Sequence, residues 1–198
     1  VYGNNLILLF MIVAIASFFI CGMLSKRLLP LRAYPVAVFL IAISLLLHSS
    51  LISNYVFSYG SDSLAELYTF KITQENAYWN STNPLPQDVH YGRFHAMLSV
   101  TILPTIYSNL LGISPTWIFK IIFPLIFSFL PLSLYEIWRK NVGNKFAFIA
   151  SFFFMSYETF YMEMIGLNRQ MVAELFFVLL LLTILNEEIK NNTSKILC

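Results

Sequence analysis

The chain has 198 residues, of which 58% are hydrophobic, 17% aromatic and only 11% charged, with a formal net charge of +2. Soluble domains carry roughly a quarter charged residues, so this composition cannot cover a water-facing surface, and the missing solvent is expected to be lipid. The basic residues fall in short clusters between apolar runs, which is how loops set membrane orientation and which excludes a nucleic-acid partner.

About 20 predominantly apolar residues cross the hydrocarbon core as a helix. Asn5–Leu24 meets this, and is too long and evenly apolar for a signal peptide. A basic turn, residues 25–32, separates it from Tyr34–Ser53, where His48 is the one ionisable group and is expected to pack or snorkel. A polar, aromatic-rich segment, 54–93, follows. Asn83-Pro84-Leu85-Pro86 interrupts it, and Ser61–Ile72 reads as a short helix with Asp62 and Glu66 on one face. Ala96–Leu111, broken by Pro104 and closed by Gly112-Ile113-Ser114-Pro115, reads as interfacial or re-entrant. Trp117–Trp138 is a span kinked by Pro124 and Pro131, residues 139–145 form a second basic turn, and Phe146–Met162 and Met171–Leu185 are further spans joined by a link at 166–170.

Placing both basic turns on the cytoplasmic side requires that Ala96–Leu111 does not cross. The expected fold is therefore an all-α, polytopic transmembrane helix bundle of about five spans in the cell membrane. It is a single domain, 1–198, with its N-terminus outside, a large external loop at 54–115 carrying short interfacial helices, and Glu187–Lys195 inside. The chain reads as an excerpt of a longer protein. Cys21 and Cys198 have no metal-ligand spacing and read as unpaired thiols.

The loop gathers the chemistry. Asp62 and Glu66 at the outer interface suit a general base, or Asp62 a ligand for a divalent cation (Mg or Mn) that balances a phosphate; equally, Asp62 suits a helix cap. His90, Arg93 and His95 close the loop as candidates for phosphate or metal binding, or as interfacial anchors. Arg169, alone between Lys145 and Lys190, suits a phosphate or pyrophosphate head group, with a snorkelling anchor as the plain alternative. Glu158, Glu163 and Glu174 lie in or beside apolar helices, where a carboxylate is costly; Glu163 or Glu174 is expected to pair with Arg169. Asn80-Ser81-Thr82 fits the N-glycosylation pattern.

A helix leaving the membrane, Gly60-x-Asp62-x-x-x-Glu66 shortly after it, and a long external loop with proline-rich turns resemble the N-terminal part of the GT-C superfamily of membrane glycosyltransferases. Ile118–Lys140 and Arg169-Gln170-Met171-Val172-Ala173-Glu174-Leu175-Phe176 are similar to a family of large, mostly archaeal predicted membrane proteins. The resemblance implies inverting transfer of a sugar from a polyprenyl-phosphate donor to an acceptor at the outer face. Asp62 would act on the acceptor, and Arg169 or Arg93 on the leaving phosphate. An extra span precedes the loop, and Glu66 stands four residues from Asp62 rather than beside it. The rival reading is a multi-span transporter or lipid flippase, which would want polar groups along a path near the midplane.

Overall fold

The structure is a computed structural model that describes residues 2–24, 30–52, 54–57, 61–81 and 92–185. Every regular element among them is helical. In chain order these are α1 (Tyr2–Leu24), α2 (Tyr34–Ile52), α3 (Asp62–Asn76), α4 (Gly92–His95), α5 (Ile102–Leu111), α6 (Pro115–Trp117), α7 (Phe123–Phe127), α8 (Phe129–Val142), α9 (Asn144–Ser156) and α10 (Asn168–Ile184). Two π-helical turns, Ile118–Ile122 and Thr159–Glu163, and three 3₁₀ turns, Leu31–Ala33, Asn54–Phe57 and Met164–Gly166, complete the path among the described residues.

Two helical stretches, Leu31–Leu51 and Pro115–Val142, are long and apolar enough to cross a membrane. The second carries Pro124 and Pro131 in its interior, and its irregularities follow from them. Pro124 has no N–H to give the carbonyl of Lys120, four residues back. The backbone there widens into the π-turn, Phe123 N–H donating to Ile118 O, and the freed Lys120 carbonyl accepts the hydroxyl of Ser50 on α2 at 2.6 Å. A side chain from a neighbouring helix thus supplies the donor that proline removed, the usual remedy inside apolar bundles.

By contrast α5 has ten residues, a rise of about 15 Å, or roughly half the hydrocarbon thickness. It cannot cross alone. It ends at Gly112, whose φ of +64° is the left-handed conformation that glycine adopts without strain. The link placed at 166–170 is shorter than the sequence suggests, because α10 already begins at Asn168.

Packing divides the chain into two units. One comprises Val1–Leu45, Ser128–Tyr157 and Ala173–Cys198. Its packing is aromatic: Tyr34 stacks on Phe148 at 4.9 Å in the interior, and toward the surface Phe19 stacks on Phe152 at 4.1 Å and Phe39 lies against exposed Phe129 at 5.0 Å. Tyr34 also donates to Gly22 O at 3.0 Å, satisfying the hydroxyl of a buried ring. Helices α8 and α9 form a hairpin through Gly143 (φ +81°), closed by Tyr135 Oη donating to Asn144 Oδ1 at 3.1 Å.

The other unit comprises Leu46–Phe127 and Glu158–Val172. Here α3 is arranged inside out. Ser63, Glu66, Thr69 and Thr73 are buried with Ala65 and Phe70, whereas Leu64 and Tyr68 are exposed. Thr69 and Thr73 return their hydroxyls to the carbonyls of Ala65 and Thr69, and Gln74 donates to Ser108 on α5 at 3.0 Å. The remaining buried polar groups of α3 face the start of α10.

Candidate functional site

The helix start expected at Ser61 or Asp62 is found there: Ser61 is the N-cap and Asp62 the first helical residue. Neither performs a side-chain cap. The Ser61 hydroxyl donates instead to Val56 O at 3.3 Å, and the Asp62 carboxylate turns toward Arg169. The capping interpretation of Asp62 is therefore not realised as a hydrogen bond.

One turn on, Glu66 is completely buried and accepts four hydrogen bonds, two on each oxygen. Asn168 gives its backbone N–H at 3.1 Å and its side-chain amide at 3.0 Å to Oε2. Arg169 gives its backbone N–H at 3.4 Å and Nη1 at 2.8 Å to Oε1. The two backbone groups are the first free N–H groups of α10, donors that no helix can satisfy internally. Glu66 thus caps α10 from a distant part of the chain, where a negative charge is also favoured by the helix dipole. Asn168 further donates to Ser63 Oγ at 2.6 Å, and Ser63 donates to Ile165 O at 3.4 Å. The Asn168 side-chain carbonyl is buried and has no hydrogen-bond partner among the described residues.

Arg169 spans the two carboxylates. Nη1 meets Glu66, and Nη2 meets Asp62 Oδ2 at 2.5 Å. The two ends differ in solvent access, since the Glu66 side chain is 0% exposed and that of Asp62 35%. The Arg169 guanidinium also lies 4.9 Å from the centre of the buried Phe94 ring, and that of exposed Arg93 lies 5.2 Å from the same ring. Phe94 packs with Ala65 and Val100, so an apolar knot holds the ring that both cations use. Trp79 Nε1 donates to His95 O at 2.8 Å, tying the end of α3's connection to α4.

These surroundings shift two of the groups. Burial pushes the Glu66 carboxyl above its ordinary value, and the hydrogen bonds and charge of Asn168 and Arg169 only partly offset that. Burial acts against the Arg169 charge too, but its bonds to Asp62 and Glu66 outweigh it, leaving the guanidinium more firmly protonated than usual.

Of the residues singled out in the sequence, Asp62, Glu66 and Arg169 are brought into direct contact, and Arg93 joins them through Phe94. His95 is buried beside Phe94 in the chain. His90 and Gly60 lie outside the described residues. The pairing of Arg169 with Glu163 or Glu174 does not form: both glutamates are exposed, and the arginine bonds to Asp62 and Glu66 instead. Asn168, Ser63 and Phe94 were not singled out by sequence. An asparagine immediately before the arginine at a helix start, and a phenylalanine beside Arg93, were the signals available for them.

The donor set fits a divalent cation poorly. The acceptor capacity of Glu66 is filled by four donors, one Asp62 oxygen is taken by Arg169, and no cluster of three or more metal-ligating side chains occurs among the described residues. No protein-family model matches the chain, and no curated protein or solved structure matches it.

Proposed function

We propose that the chain is a multi-pass membrane glycosyltransferase of the GT-C kind, moving a sugar from a polyprenyl-phosphate donor to an acceptor at the outer face. The observation that carries this reading is the contact between Asp62 and Arg169. A partly exposed carboxylate and a guanidinium, remote in sequence, meet in one unit, which gathers a candidate base and a candidate phosphate ligand at one site.

The chemistry these groups suit is displacement at the anomeric carbon. The acceptor oxygen bonds to that carbon while the carbon–oxygen bond to phosphate breaks, its electron pair leaving on the phosphate. The acceptor proton passes to Asp62. Arg169, with Arg93 on the same ring, stabilises the charge that grows on the departing phosphate. Glu66 takes no part in proton transfer here; buried and fully hydrogen-bonded, it positions Arg169.

The membrane setting is part of the proposal. Five spans with loop 54–115 outside would place α3, α4, α5 and the start of α10 at the outer interface. The inside-out surface of α3 suits such a place. Leu64 and Tyr68 face outward, followed by exposed Tyr78 and Trp79, residue types enriched where lipid meets water.

The test is transfer of radiolabelled sugar from a polyprenyl-phosphate donor in membranes containing the chain. The wild type should transfer, and Asp62→Asn should lose activity by about a hundredfold or more, the scale of a lost general base. Full activity in Asp62→Asn would sink the reading. Movement of lipid across vesicles without sugar transfer would favour the transporter.

A further inference from the structure

The roles just assigned to Asp62 and Arg169 cannot both operate in the arrangement observed, because each group occupies the other. Resting on those roles, we propose that Asp62 is a built-in competitor for Arg169: it fills the site of a phosphate-ester anion, and binding of that anion releases Asp62 as a base.

The asymmetry of Arg169 confines the exchange to one end. Nη1 is fixed by Glu66, itself held by both backbone N–H groups at the start of α10 and by the Asn168 amide. Nη2 faces Asp62, the one partner with substantial solvent access. Phe94 under the guanidinium keeps its plane in place when that partner leaves. A carboxylate and a phosphate ester present similar oxygen pairs to a guanidinium. Arg93 adds a second cation on the same ring. It is exposed, and no carboxylate partner for it occurs among the described residues.

The arrangement explains why such a site would resist stray anions. Arg169 itself meets two carboxylates, so its single charge is already answered when both are ionised. An anion must overcome both the competition and the repulsion of Asp62. Only a ligand held by further contacts, such as a lipid tail in the bilayer, would do so readily. Release of Asp62 would then coincide with donor binding, so the base becomes available when there is something to transfer.

The experiment is titration of the purified full chain in detergent micelles, with inorganic phosphate in one arm and dodecyl phosphate in mixed micelles in the other, read by calorimetry. Asp62→Asn and Asp62→Ser should bind phosphate about tenfold more tightly than the wild type, since a charged competitor for a guanidinium is removed. Adding Arg169→Gln should abolish that gain. A gain confined to dodecyl phosphate would identify a lipid headgroup as the ligand, and an equal gain in both arms a free phosphate. In the unaltered chain, dodecyl phosphate should raise carbodiimide labelling of Asp62. Unchanged or weaker affinity in both Asp62 variants with helicity retained, or labelling of Asp62 unaffected by dodecyl phosphate, would overturn the proposal. Gain of anion affinity in a chain that transfers no sugar would keep the competitor and remove the transferase; sugar transfer without that gain would do the reverse.

Discussion

Glu66 caps the helix that begins at Asn168, 102 residues further along the chain. The carboxylate is buried, yet each of its oxygens accepts two hydrogen bonds, one of them from the Arg169 guanidinium. Bonds this complete offset part of the cost of desolvating a charge. The cap therefore does two things at once: it satisfies the start of α10, and it fixes the cation that meets Asp62.

The two carboxylates should differ sharply in their contribution to stability. Glu66→Ala leaves Arg169 without its buried partner and two backbone N–H groups without an acceptor, a loss of about 3–5 kcal/mol on the scale of broken buried pairs. Asp62→Ala removes a partly exposed partner and should cost no more than about 1 kcal/mol. Denaturant titration in mild detergent, followed by circular dichroism, measures both. Equal losses would mean that Glu66 is not the anchor.

Stability should also depend on pH through Glu66. Its carboxyl is raised above 4.5 in the folded chain, so above that value the unfolded state ionises first. Stability contributed by the protonated form is complete below the ordinary value and is lost as pH rises through the folded one. Relative to Glu66→Gln, which does not titrate, the wild type should therefore lose melting temperature as pH rises from about 4.5. A rising difference would reverse the sign assigned to burial.

Ser50 and Pro124 should be energetically coupled. Ser50→Ala leaves the Lys120 carbonyl without a donor, a cost of about 1–3 kcal/mol for a buried orphan. In a Pro124→Ala background the restored N–H can serve that carbonyl, and the same Ser50→Ala change should cost under about 1 kcal/mol. A double-mutant cycle gives the difference directly. Additive losses would show that the hydroxyl does not stand in for the missing N–H.

Sidedness can be read by labelling single cysteines from outside intact cells, in a background lacking Cys21 and Cys198. Exposed Tyr78 and Gln170 are suitable positions, whereas Asn168 is fully buried and would stay dark for the wrong reason. Under the proposed five-span topology, cysteines at 78 and 170 label from outside and one at Lys140 does not. Opposite labelling of 78 and 170 would end the outer-face assignment.

Much of this protein was set by local pattern. Apolar runs of sufficient length foretold α2 and the stretch through Pro115–Val142, the two helices among the described residues that are long and apolar enough to cross a membrane. Four-residue spacing put Asp62 and Glu66 on one side of α3, and they do share one partner. Short-range signals also ended α5 at Gly112. Tertiary structure decided the rest. Seen along the chain, Arg169 has Glu163 and Glu174 as its nearest acidic neighbours, but it pairs with carboxylates 103 and 107 residues away. Helical periodicity orders residues within a turn or two and carries no information about which distant helix start will come to rest against α3. That choice lies in the tertiary packing that buries Glu66, whose four donors come from the first two residues of α10.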